Sequence, residues 1–209
     1  ISWYPFEKGC TVLEIKANDN NQITDTLKQK AAKVLSIRID ELQNINEKFD
    51  YITLIGLEDI TNNAQELFNK LKTILNQNGK ILIAMNNKYS VKNLSTNEGI
   101  ERIFNNSHKI YTLEEVIKLL ETSGFYNKKI YYPLTDYKFT NVIFTDNNKI
   151  SKNELSRNIV YNSEESIKFF EENNMIEKLL EDNIEFKQFS NSFFIEVFNG
   201  DYLDNEIRL

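Results

Sequence analysis

Three short stretches of this chain, Thr11–Ile15, Asp50–Ile55 and Lys80–Met85, are apolar with little alternation. A strand with one face in water alternates apolar and polar residues, whereas a strand covered on both faces stays apolar along its length. These runs are far shorter than the roughly 20 apolar residues that cross a bilayer. They must therefore be buried in a sheet with cover on both sides. Helical spacings supply that cover: Gln22–Lys30 follows the first run, and Asn63 to Asn76 follows the second, with Ala64, Leu67, Phe68, Leu71 and Leu75 on one face. Another apolar run, Ala32–Ile37, lies directly after the first helical pattern. Asn78-Gly79 is expected to stop the second helix. Thr112 with Glu115 has capping-box spacing for a third helix, and Gly124 is placed to end it. The order predicts an α/β fold, a Rossmann-like and mostly parallel sheet with helices on both faces.

The final third reads differently. Lys129–Tyr132, Thr140–Thr145 and Asn191–Phe198 are strand candidates, expected as antiparallel strands at the C-terminal edge of the sheet. They flank a charged helical stretch, Ser163–Asp182, in which Ile167, Phe170, Ile176 and Leu179 or Leu180 recur at near-helical intervals. Its acidic residues then form a solvated face. With no repeat and no Pro- or Gly-rich linker, residues 1–209 are expected to form one domain carrying an insertion at about 140–190.

Charge and cysteine content narrow the function. A net charge of -6 argues against a broad nucleic-acid footprint, which relies on clustered Lys and Arg. Cys10 stands alone, so there is no internal disulfide and no multi-cysteine zinc site, as in a reducing compartment. No metal site is expected. No signal peptide is read in Ile-Ser-Trp-Tyr-Pro-Phe at the start, and the expected setting is cytoplasmic, without membrane contact.

Three stretches in order carry a family resemblance: Cys-Thr-Val-Leu-Glu-Ile at 10–15, Lys-Phe-Asp-Tyr-Ile-Thr-Leu-Ile-Gly at 48–56, and Leu-Asn-Gln-Asn-Gly-Lys-Ile-Leu-Ile-Ala at 75–84. Weaker matches follow at Asn87-Lys88-Tyr89, Gly99-Ile100-Glu101, Tyr111–Phe125 and Tyr131–Asp136. Together they resemble class I S-adenosylmethionine-dependent methyltransferases, particularly bacterial ones found with glycan-building enzymes. The resemblance makes the three main stretches the first strand, the fourth strand, and the turn plus fifth strand of that family.

It also implies a cofactor site whose parts can be checked one by one. The glycine-rich turn after the first strand is here Lys16-Ala17-Asn18-Asp19-Asn20, without glycine. Asn and Asp tolerate positive φ and could still make the turn. An acidic residue that takes the ribose hydroxyls is implied at the end of the second strand, where this chain has Arg38. A guanidinium has no acceptor lone pair, although Asp40 two residues on offers a shifted carboxylate. A helix, a third strand and another helix are implied before the fourth strand, yet only Asp40 to Phe49 is available. A parallel crossover normally needs a dozen or more residues, so the third strand is expected to be missing.

The expectation is a methyltransferase-like domain with an eroded cofactor site: a non-catalytic binding or assembly module linked to glycan modification, with no catalytic residue and no cofactor. Its partner is expected to be a protein, a second copy of itself, or a glycan. The alternative is an active S-adenosylmethionine-dependent methyltransferase on a sugar or small molecule, whose rebuilt pocket would use Glu14, Asn18, Asp19, Asp40 and Glu58. Glu58 and Asp59 could face a ligand or simply cap a helix. His108, the only histidine, could be a base or an exposed loop residue. Tyr131, Tyr132, Tyr137 and Phe139 could stack on a sugar or belong to the core.

Overall fold

The computed structural model describes residues 1–19, 22–104, 109–150 and 170–200. Among these residues, seven strands form one sheet: β1 (Thr11–Lys16), β2 (Lys33–Arg38), β3 (Phe49–Ile55), β4 (Leu75–Asn86), β5 (Asn127–Thr135), β6 (Thr140–Thr145) and β7 (Ser192–Phe198). Their order is β2-β1-β3-β4-β7-β5-β6. Around them run α1 (Gln22–Lys28), α2 (Leu57–Ile60), α3 (Ala64–Ile74), α4 (Val91–Leu94), α5 (Asn97–Phe104), α6 (Leu113–Thr122), α7 (Glu172–Glu181) and α8 (Phe186–Phe189). The fold is the expected one, mostly parallel with antiparallel pairing at the C-terminal edge, where β6 runs back along β5.

The chain gathers into two compact units. One comprises Ile1–Ile83, Ile117–Lys129 and Ile195–Leu209; the other comprises Ala84–Val116 and Ile130–Phe194. In the first, β1 pairs in parallel with both β2 and β3. Val12, Leu13, Ile15, Ile52, Leu54 and Ile81 are buried with Phe68 and Leu71 of α3, which accounts for the apolar runs. Asn63 caps α3 by accepting from the Glu66 amide, so the helix begins where its spacing predicts. In the second unit Tyr131, Tyr132, Phe144, Phe193 and Phe194 form an aromatic core.

No strand intervenes between β2 and β3. A 3-10 helix, Ile39–Asn44, makes the crossing instead, and its Leu42 is buried. The absent third strand leaves β2 at the edge of the sheet, where Lys33 and Arg38 are exposed.

Two expectations need correction. Asn78-Gly79 does not stop α3, which ends at Ile74; Leu75 to Asn86 form one continuous strand. The Asn199 side chain donates to the Leu75 and Asn76 carbonyls and its amide to the Gly79 carbonyl, so hydrogen bonds from the end of β7 claim this segment as strand. Glycine leaves room there: a Cβ on Gly79 would come within 2.8 Å of the Leu75 side chain and 3.0 Å of the Asn76 carbonyl oxygen, so these neighbours would have to shift. The first helix is also shorter than its pattern, ending at Lys28 because the Lys30 and Ala31 amides both turn back to the Leu27 carbonyl.

Thr112 and Glu115 do form a reciprocal capping box, at 2.8 and 3.1 Å. Gly124 terminates α6 with φ +80, while the Phe125 amide returns to the Leu120 carbonyl, a left-handed C-cap. Of the charged stretch expected at Ser163–Asp182, residues 163–169 lie outside the described residues and the remainder contains α7 with Ile176 buried.

Candidate functional site

Parallel pairing lines up the C-terminal ends of β1, β2 and β3. Lys16 stands beside Arg38, and Glu14 stands between Ser36 and Thr53. Register partners share a face of the sheet, so Ser36, Glu14 and Thr53 make a polar stripe across three otherwise apolar strands. Glu14 is buried, and its Oε2 accepts from Thr24 Oγ1 at 2.6 Å and Ser36 Oγ at 2.7 Å. A buried carboxylate needs such donors, and α1 supplies one by setting Thr24 against the strand. Thr53 Oγ1, also buried, has no hydrogen-bond partner among the described residues. Reading the sequence alone singled out Glu14 but not Thr24, Ser36 or Thr53. Small hydroxyl residues are ordinary in strands, and only the register makes them neighbours.

The turn after β1 bends through Ala17, Asn18 and Asp19, with Asn18 and Asp19 exposed. None of these three takes positive φ, so the left-handed turn that Asn and Asp could have supplied is not made by them. Asn20 lies outside the described residues.

At the end of β2, Arg38 draws in two of the acids expected nearby. Its Nη1 lies 3.4 Å from Asp19 Oδ1 and its Nε 3.9 Å from Asp40 Oδ1. Asp40 therefore sits next to the strand end, but it lies in the first turn of the 3-10 helix and faces the guanidinium. The Arg38 amide donates to Glu41 Oε2 at 2.8 Å, which anchors the start of that helix. All three paired side chains are more than half exposed, so each contact contributes at most about 1 kcal/mol. What this edge offers a diol is thus a cation flanked by two carboxylates.

After β3 the chain turns at Gly56, whose φ of +86 is a left-handed conformation that glycine adopts without strain. α2 then begins, and Glu58 in its first turn is buried. Asp59 beside it is exposed. Structure thus brings Asp19, Arg38 and Asp40 into contact, and places Glu14 and Glu58 as buried groups at the ends of neighbouring strands.

The other sequence candidates resolve individually. Tyr131 and Tyr132 are core residues, packed edge-on against Phe194 and against Phe186 and Phe193. Their rings cannot form an open stacking surface with Phe139, which is exposed. His108 lies outside the described residues. No described helix is long and apolar enough to cross a membrane.

No protein-family model matches the sequence, and no curated protein matches it closely enough to count. Solved structures do match. An S-adenosylmethionine-dependent methyltransferase from Archaeoglobus fulgidus superposes with a TM-score of 0.54 at 15% identity, covering 91% of this chain and 86% of that one. The chain has the methyltransferase fold. A Thermotoga maritima methyltransferase of the same cofactor dependence gives 0.51 at 12% identity, over 91% and 82% of the two chains. The Haloferax volcanii complex between the Trm112 methyltransferase activator and a methyltransferase gives 0.53 at 10% identity, over 96% and 86%. At such identities the likeness establishes the architecture and leaves the chemistry to the residues of this chain.

Proposed function

We propose that this chain is a methyltransferase-fold module that acts by binding or assembly and does not transfer methyl groups. The observation that carries this reading is Arg38 at the end of β2, in contact with Asp19 and Asp40. Ribose hydroxyls are held in this fold by an acceptor at that position. A guanidinium only donates, and the two nearby carboxylates face it. The glycine-free turn and the missing third strand, which removes a wall of the pocket, support the same reading.

On this reading the edge does not hold S-adenosylmethionine through an acceptor at the end of β2, as the family resemblance would imply. We infer that the module serves a glycan-modifying system in the cytoplasm, a setting drawn from the resemblance of its strand motifs, and that it works through a protein partner or a second copy. The Trm112 complex is a precedent for partnership in this fold. A rebuilt, active site is the competing reading, and the buried acids Glu14 and Glu58 speak for it.

Thermal unfolding with and without S-adenosylmethionine and S-adenosylhomocysteine separates the two. A ligand at about a hundred times its dissociation constant stabilises by about 2.7 kcal/mol, which for a chain of this size raises Tm by roughly 5 to 10 °C. The expected result is no rise and no heat of binding at millimolar cofactor. A clear rise would replace this reading with the active methyltransferase, and Asp40→Ala would then be expected to lower the affinity.

A further inference from the structure

The second unit contains a pocket of about 380 Å³ that owes nothing to the ends of β1, β2 and β3. That size falls in the range of about 300 to 1,000 Å³ typical of small-ligand sites. Its floor is aromatic. Antiparallel pairing of β5 with β6 sets Tyr132 opposite Phe144, and Phe186 of α8 packs edge-on against both, with ring centroids 6.4 and 6.0 Å away. Ile150 and Ile184 add aliphatic surface to the lining.

Charges of both signs also line it. Asp146 accepts from the Tyr132 hydroxyl at 2.9 Å, and the Lys187 ammonium attracts it from longer range. Glu185 is held by Lys187 at 2.7 Å and more loosely by Lys149 at 3.7 Å. Lys149 is exposed and beyond hydrogen-bond distance, so its ammonium can turn to another carboxylate at little cost. Glu114 adds negative charge at longer range. Burial, with the bond to Asp146, holds the Tyr132 hydroxyl well above the ordinary tyrosine range, so it remains a donor and keeps Asp146 in place.

We propose that this pocket binds a small zwitterion with an apolar side chain, an amino acid or a close analogue. Its ammonium would meet Asp146, its carboxylate would meet Lys149, and its side chain would lie over Phe144, Phe186 and Ile184. Two lysines and two acids balance in charge along the pocket, which favours a ligand carrying both charges over one carrying a single sign. The proposal is independent of whether the methyltransferase edge holds a cofactor, because no residue is shared.

L-phenylalanine is the probe, titrated against the full chain and followed by ligand-detected NMR and thermal shift. Phenethylamine and 3-phenylpropanoate, each lacking one charged group, serve as comparisons. L-phenylalanine is expected to bind more tightly than either. Asp146→Asn should weaken it about tenfold, the loss of one charge-assisted hydrogen bond, while leaving 3-phenylpropanoate unchanged. Lys149→Met should do the converse, sparing phenethylamine. Ile184→Trp, which fills the pocket from an exposed position, should abolish binding of all three without lowering Tm. No binding of L-phenylalanine at millimolar concentration would overturn the proposal. So would equal binding of all three probes, or binding that survives Ile184→Trp.

Discussion

At the scale of single residues, the side chain that best ties the sheet of the first unit together is one that the sequence shows only as the opening of an apolar run. Asp50, on β3, accepts from both the amide and the hydroxyl of Thr11 on β1, each at 2.8 Å. It also accepts from the Asn76 side chain on β4 at 2.7 Å, so one carboxylate clasps three strands. Burial works against its charge, but the bonds from the Thr11 amide, the Asn76 amide and the Thr11 hydroxyl outweigh it and hold the carboxyl below its usual range. A depressed folded pKa means that the stabilisation is present above the unfolded value, about 3.9, and is lost as pH falls through the folded one. Asp50→Ala is expected to cost about 1 to 3 kcal/mol at pH 7 in urea unfolding. The variant should also lose less stability than the parent between pH 5 and pH 2, whereas a parallel decline in both would show the clasp to be energetically idle.

Glu14 and Arg38 differ in how legible they were. Glu14 could be picked out because it lies in the strand motif that carries the family resemblance. Arg38 could be read as a chemical misfit from its lack of acceptors alone. What neither position revealed was its company: Thr24 and Ser36 around the first, Asp19 and Asp40 around the second. Those contacts depend on strand register and on where the 3-10 helix begins.

Among elements, the short connection from β2 to β3 carries the most consequence. Both strands pair in parallel with β1, so the chain must travel back along the sheet between Arg38 and Phe49. The 3-10 helix makes that journey with a compact turn and covers the sheet with a single buried side chain, Leu42. Its truncation should therefore be costly for so small an element. Leu42→Ala is expected to destabilise by about 2 to 4 kcal/mol, read from the urea midpoint at unchanged slope. A loss below about 1 kcal/mol would mean that the crossover closes around the cavity and contributes little packing.

The β4 segment shows the limit of reading elements locally. Asn-Gly is among the strongest turn signals in a sequence, yet Asn78-Gly79 lies inside a strand. Long-range hydrogen bonds from Asn199 outweigh the local preference, and glycine serves there to let the Leu75 side chain fold against the backbone.

For the molecule as a whole, the surface charge makes a prediction that does not depend on the site. With 31 acidic against 25 basic side chains, the chain lacks the excess of cations that releases counterions from phosphate backbones. Non-specific binders hold duplex DNA with dissociation constants of about 1 to 100 µM at physiological salt. Fluorescence anisotropy of a labelled duplex should stay flat across that protein range, and a salt-sensitive rise would reveal a local basic patch.

Sequence alone determined the fold class, because continuous apolar runs have only one economical burial, a sheet covered on both faces. The same is true of the capped third helix and the missing third strand, since capping spacing and chain length are local facts. Tertiary structure decided what stands next to what. It set hydroxyls around Glu14, two carboxylates against Arg38, and an aromatic floor beside Asp146 and Lys149. Each of these neighbourhoods joins residues far apart in the chain, and their proximity comes from register and packing that no local pattern encodes.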